Sequence, residues 1–128
     1  MKLRKTFLLF VLFAAVPAFA QAQLAVKSIG IGTGIDNGSL KNEGVLFDSD
    51  VATLYCLTTI SGAKNNPTVK HVWYYNDEEK SSSSLVVRSA NFKTWSSKKV
   101  WHTWVGKWRV DVVDKNGKVL ASKSFTIK

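Results

Sequence analysis

Gly106-Lys107-Trp108-Arg109-Val110-Asp111-Val112-Val113-Asp114 is the stretch whose reading decides the fold class of this chain. Trp108, Val110 and Val112 fall on one phase of a two-residue repeat, and Lys107, Arg109 and Asp111 fall on the other. A period of two belongs to a strand. One apolar and one charged phase make it a half-buried antiparallel strand, wet on one side. Asp114-Lys115-Asn116-Gly117 then reads as a turn, because Asn-Gly accepts positive φ at little cost. Lys118 to Lys128 is the return strand. Its apolar phase holds Val119, Ala121, Phe125 and Ile127, but Lys123 falls on the same phase, so a bulge is expected near Lys123.

Upstream the pattern repeats in shorter pieces. Val51 to Ile60 is apolar or β-branched on both phases, which predicts a central strand covered on both sides. Val69 to Asn76 reads as a strand with His71, Trp73 and Tyr75 on one face and Val72 and Tyr74 on the other. Leu24 to Ile31 alternates loosely, Leu85 to Arg88 is a short strand, and Phe92 to Ser96 begins another. Asp36-Asn37-Gly38-Ser39, Ser61 to Pro67 and Asn76 to Lys80 punctuate these runs as turns or loops. Gly30-Ile31-Gly32-Thr33-Gly34 also reads as a turn, since no helix follows to make it a nucleotide cradle. Ser81 to Ser84 reads as a flexible loop or the start of a strand. About seven short strands at this spacing predict an all-β, single antiparallel β-sandwich of immunoglobulin-like type.

The chain has 128 residues and begins with a basic segment (Lys2, Arg4, Lys5), an apolar run from Thr6 to Val16, and Pro17-Ala18-Phe19-Ala20. This is the three-part pattern of a secretory signal peptide. The expected division is a signal peptide over 1–20 and one sandwich domain over 21–128, with cleavage after Ala20 or Ala22. The apolar run is short of the ~20 residues that a membrane span needs, and no integral span is expected in the mature chain. The protein is therefore expected in the periplasm or outside the cell. Removing 1–20 takes three of the 18 Lys and Arg and none of the nine Asp and Glu, leaving a net charge of +6. That balance favours anionic partners. Cys56 is the only cysteine, so the exported domain must hold together by its core, with Cys56 read as a buried apolar thiol.

Several segments taken together resemble a known bacterial family. They are His71-Val72-Trp73-Tyr74-Tyr75-Asn76, Phe92-Lys93-Thr94-Trp95-Ser96-Ser97, the 106–114 strand, Gly117-Lys118-Val119-Leu120 and Phe125. In this order they resemble the domain-of-unknown-function family numbered 2914, over roughly residues 25–128. The resemblance implies one small, exported or envelope-associated β domain. It carries no established activity and so no catalytic residues. The chain differs from the family pattern at Lys93, where Arg is expected, and in its Trp-rich 101–104 stretch.

Chemistry-bearing patterns are sparse. His71, His102 and Cys56 match no compact zinc spacing, and no nucleophile elbow or phosphate loop is present. Asp48 and Asp50 alone offer too few oxygens for Ca²⁺. No enzyme, cofactor or metal site is expected; a hydrolase would need carboxylates converging near the tryptophans. The five Trp are the unusual feature. Trp73 and Trp108 lie on core-facing phases, where each indole buries about 200 Å². Trp95, Trp101 and Trp104 fall among Lys93, Lys98, Lys99 and Lys107. Such a mixture either closes one end of the sandwich or forms a surface for sugar rings and anions. The candidate ligand-binding set is Trp95, Trp101, Trp104, His102, Lys98, Lys99 and Tyr75, with Tyr74 as a further aromatic. Single-stranded nucleic acid would suit the same chemistry, but export argues against it. The expected function is a non-catalytic envelope module binding an anionic polysaccharide. The alternative is an interaction domain that docks on an envelope protein through a sheet edge.

Overall fold

In a computed structural model the described residues, 23–128, form an all-β sandwich. The predicted signal peptide and its cleavage sites lie outside the described residues. The strands are β1 (Ala25–Gly32), β2 (Gly34–Asp36), β3 (Ser39–Lys41), β4 (Leu46–Phe47), β5 (Thr53–Ser61), β6 (Thr68–Tyr75), β7 (Glu78–Val86), β8 (Asn91–Lys99), β9 (Gly106–Val113) and β10 (Val119–Ile127). One sheet has the order β1-β5-β8 and the other β4-β10-β9-β6-β7, with β2-β3 as a separate hairpin. Every pairing is antiparallel except β4 with β10. Seven strands are eight or nine residues long. The first, second and fifth of these make one sheet and the remaining four make the other. That is the immunoglobulin-like division.

The core lies between the sheets because each long strand turns one phase inward. On β5, Leu54, Cys56, Thr58 and Ile60 are buried, alternating with half-buried residues. They meet Trp73 and Val69 of β6 and Trp108, Val110 and Val112 of β9, all buried as expected. Phe125 packs on both indoles, with ring centroids 6.2 Å from Trp73 and 6.0 Å from Trp108.

Several local expectations are corrected. The bulge in β10 falls between Val119 and Ala121 and not at Lys123. Val119 is thereby thrown outward, and Lys123 keeps the inward phase opposite Val110. Only the far end of β10 pairs with β4, so Lys123 sits on an open sheet edge where its stem can run outward to water. An inward lysine there also discourages edge-to-edge pairing. The turn after β6 is only Asn76-Asp77, both at positive φ, and β7 starts at Glu78. Ser81 to Ser84 are the interior of β7, where Ser81 and Ser83 pair with Trp73 and His71. Small residues fit there because the indole and imidazole fill the space. The Ser81 hydroxyl is buried without a partner.

The Gly30–Gly34 segment is strand, not turn. Gly30 and Gly32 point outward from β1 beneath the β2-β3 hairpin, and a Cβ on Gly32 would lie 2.5 Å from the Lys41 carbonyl and 3.1 Å from Leu40. The second face of β5 is thus covered by the hairpin on its β1 side only. On its β8 side that face is open, which is where the candidate surface lies.

Candidate functional site

Strand β8 alternates without interruption toward its end. Thr94 and Lys98 are half-buried and Ser96 is buried, while Lys93, Trp95, Ser97 and Lys99 are exposed. The phase continues through Val100, which is buried and donates its N–H to the Ala52 carbonyl at 3.0 Å, to exposed Trp101. The outward row is therefore Lys93, Trp95, Ser97, Lys99 and Trp101. At about 3.3 Å per residue, the strand part of the row, Lys93 to Lys99, is about 20 Å long, with Trp101 just past its end. Trp95 is 49% exposed and Trp101 66%, the most of any large apolar side chain described. Tyr55 of β5 leans on Trp95 at 5.8 Å, widening the aromatic ground. Lys93 donates to the Gly38 carbonyl at 3.0 Å, which fixes it at the hairpin side. No carboxylate pairs with Lys93 or Lys99 among the described residues.

Trp104 belongs to a different arrangement. It is half-buried and stacks on Tyr75 at 5.8 Å with 12° between the planes, and it lies 6.0 Å from Trp108. The Trp108 indole N–H donates to the Trp104 carbonyl at 3.1 Å, and the Tyr75 hydroxyl donates to the Val105 carbonyl at 2.7 Å. These bonds tie the β8–β9 connection to the ends of β6 and β9. Lys98, on the inward phase, brings its ammonium 5.5 Å from the Trp104 ring, and Lys80 of β7 comes to 5.1 Å. Trp104 thus closes one end of the sandwich, with a lysine from each sheet above it.

The seven predicted site residues are divided accordingly. Trp95, Lys99 and Trp101 share the row on β8. Trp104, Lys98 and Tyr75 form the end stack, and His102 is exposed beside Trp101. Tyr74 faces outward from the other sheet under Arg109, 4.2 Å from its ring centroid. Lys93, named in the basic mixture but not in the candidate set, and Tyr55 join the row. Lys93 was legible, two residues from Trp95; Tyr55 depended on the β5–β8 register. Lys80 carried no sequence signal.

Cys56 and His71 are sealed in the core. Burial pushes the Cys56 thiol up to about 12. Burial also pulls His71 down to about 4, so it is neutral at pH 7. Its ring is bonded on both sides. Trp73 Nε1 can only donate, and it does so to Ser96 Oγ at 3.0 Å. Thr58 gives its single proton to the Thr94 carbonyl at 3.3 Å. His71 Nε2 must then donate to Thr58 at 3.1 Å, and its Nδ1 accepts from Ser96 at 2.7 Å. One continuous chain of donors satisfies four buried side chains and joins β6 to β5 and β8 across the core. Among the described residues no group of three or more His, Cys, Asp or Glu side chains converges as a metal site, and no helix is long and apolar enough to cross a membrane.

These features define an immunoglobulin-like sandwich with an exposed aromatic and basic row on its smaller sheet. Residues 66–127 match the family described as "Protein of unknown function (DUF2914)". The match begins at β6, so it is narrower than the 25–128 suggested by the motifs. No curated protein matches the chain. The His-x-Trp and Trp-Ser-Ser segments behind the resemblance meet in the buried network of His71, Trp73 and Ser96.

Proposed function

We propose that the protein is an exported, non-catalytic binding domain of the bacterial cell envelope that takes an anionic glycan along β8. The observation that carries this reading is the outward row Lys93, Trp95, Ser97, Lys99 and Trp101 on an open sheet face. Indoles left about half or more in water offer flat faces to the apolar sides of sugar rings. Lysines interleaved with them supply charge without a competing carboxylate. A row whose strand part, Lys93 to Lys99, runs about 20 Å suits an extended polymer better than a compact ligand. Calorimetry or affinity electrophoresis against peptidoglycan, lipopolysaccharide and an acidic exopolysaccharide tests it. Retention on at least one, weakened by salt and by Trp95→Ala and Trp101→Ala, is expected. No retention, or variants that bind like the parent, removes the reading.

A second reading rests on a separate observation. Strands β7 and β8 each pair on one side only, so two sheet edges are open on the same flank of the sandwich. Docking of an envelope protein by strand addition to one of them is the alternative. Cross-linking in an envelope extract that recovers a stoichiometric protein partner, with no glycan, favours it.

A further inference from the structure

The outer face of the five-stranded sheet, opposite the β8 row, carries a pocket of about 640 Å³ between the Asn76-Asp77 turn and Val45. That size is within the range of small-molecule sites. Its floor is a set of cross-strand pairs, Lys107 opposite Thr126 and Arg109 opposite Ser124. Each pair sets a cation beside a hydroxyl.

Arg109 is fixed before any ligand arrives. Its Nε donates to Asp111 at 2.9 Å, its Nη1 donates to Asp77 at 2.7 Å, and its plane lies against Tyr74. Asp111 is itself held by Ser122 at 2.6 Å. The hydrogen bond to Asp111 raises the Arg109 pKa further, so the cation is permanent. Nη2 has no partner among the described residues. Neither do the Lys107 ammonium, the Ser124 and Thr126 hydroxyls or the Asn76 side-chain amide, whereas the Asn76 backbone N–H donates to the Lys107 carbonyl at 2.9 Å. The guanidinium, held by Asp111 and by Asp77 at the pocket rim, keeps Nη2 free beside unengaged donors and acceptors, with an apolar wall at Val45.

We propose that this pocket binds a hexuronate, a sugar ring bearing one carboxylate. The carboxylate sits between Lys107 and Arg109 Nη2. Ring hydroxyls engage Ser124, Thr126 and Asn76, and the apolar ring face turns to Val45. A planar guanidinium held at fixed orientation suits a carboxylate geometrically as well as by charge. The site is independent of the β8 row, which lies on the other sheet.

The test is a titration of the purified protein with glucuronate, glucose and acetate, followed by backbone amide shifts. Saturable shifts at Lys107, Arg109, Ser124 and Thr126 with glucuronate alone are expected. Lys107→Met and Ser124→Val alter exposed side chains that the fold does not use, and each should weaken binding about tenfold or more. Trp101→Ala should bind glucuronate like the parent, which separates this pocket from the polymer row. Absence of saturable shifts, equal shifts with acetate, or full binding by Lys107→Met overturns the proposal.

Discussion

Acidification should destabilise the protein through one residue, His71. Its ring is fully buried, and the groups bonded to it, Thr58 and Ser96, are uncharged, so no carboxylate compensates a proton placed there. Protonation would also leave Nδ1–H facing a hydroxyl that already donates toward it. Burial lowers the folded pKa to about 4 from the 6.5 of a free histidine. The unfolded chain therefore binds the proton first as pH falls. The stability contribution is whole above pH 6.5 and is lost progressively toward pH 4. Linkage gives a loss of about 2 kcal/mol at pH 5 and about 3 kcal/mol at pH 4. That is a large share of the roughly 5–15 kcal/mol that holds a domain folded. Urea unfolding followed by Trp fluorescence from pH 7.5 to 4.5 measures it. The same series on His71→Gln, which cannot titrate there, cancels the contribution of every other group. The difference between the two curves should slope across pH 6.5–4. Parallel curves, or a His71 ring titrating near 6.5 by NMR, would refute the reasoning.

Other outcomes follow from single contacts. Ser96→Ala leaves His71 Nδ1 and Trp73 Nε1 without partners and should cost about 2–6 kcal/mol in urea unfolding, at ~1–3 kcal/mol per buried unpaired group. Gly32→Ala sets a Cβ 2.5 Å from the Lys41 carbonyl and should lower the melting temperature by lifting the hairpin, at about 1–3 kcal/mol. Trp101→Ala should leave stability within about 0.5 kcal/mol, because its side chain is largely in water. Iodide should quench Trp101 and Trp95 and spare Trp73 and Trp108, as single-Trp variants would show.

Much of the fold was legible because strand periodicity is a local property. The 106–114 alternation named the faces of β9, and the Asp36–Ser39 cluster marked a turn whose Asn37 and Gly38 do take positive φ. Errors arose where neighbours decide. The glycines of β1 read as a turn because nothing local announces a hairpin packed over a strand. The serine run left loop and strand start open because its fit against Trp73 and His71 is a cross-strand matter. For the bulge, sequence showed that β10 must break phase but not where the break falls. An open edge tolerated Lys123 facing inward, so it moved to Val119.

The sequence by itself determined the strand class, the two core indoles and the lone thiol's burial, since each depends on residues two apart along one strand. Only the tertiary structure divided the 95–104 tryptophans. Alternation along β8 put Trp95 in water, and Trp101 stays exposed just past the strand's end. The Trp104 indole was instead taken up by Tyr75 and Trp108 from the other sheet. Likewise, nothing in the order of residues joins His71 to Thr58 and Ser96, which lie 13 and 25 positions away. Stacking the sheets brings those polar groups into a dry core, where each must find the other as its partner.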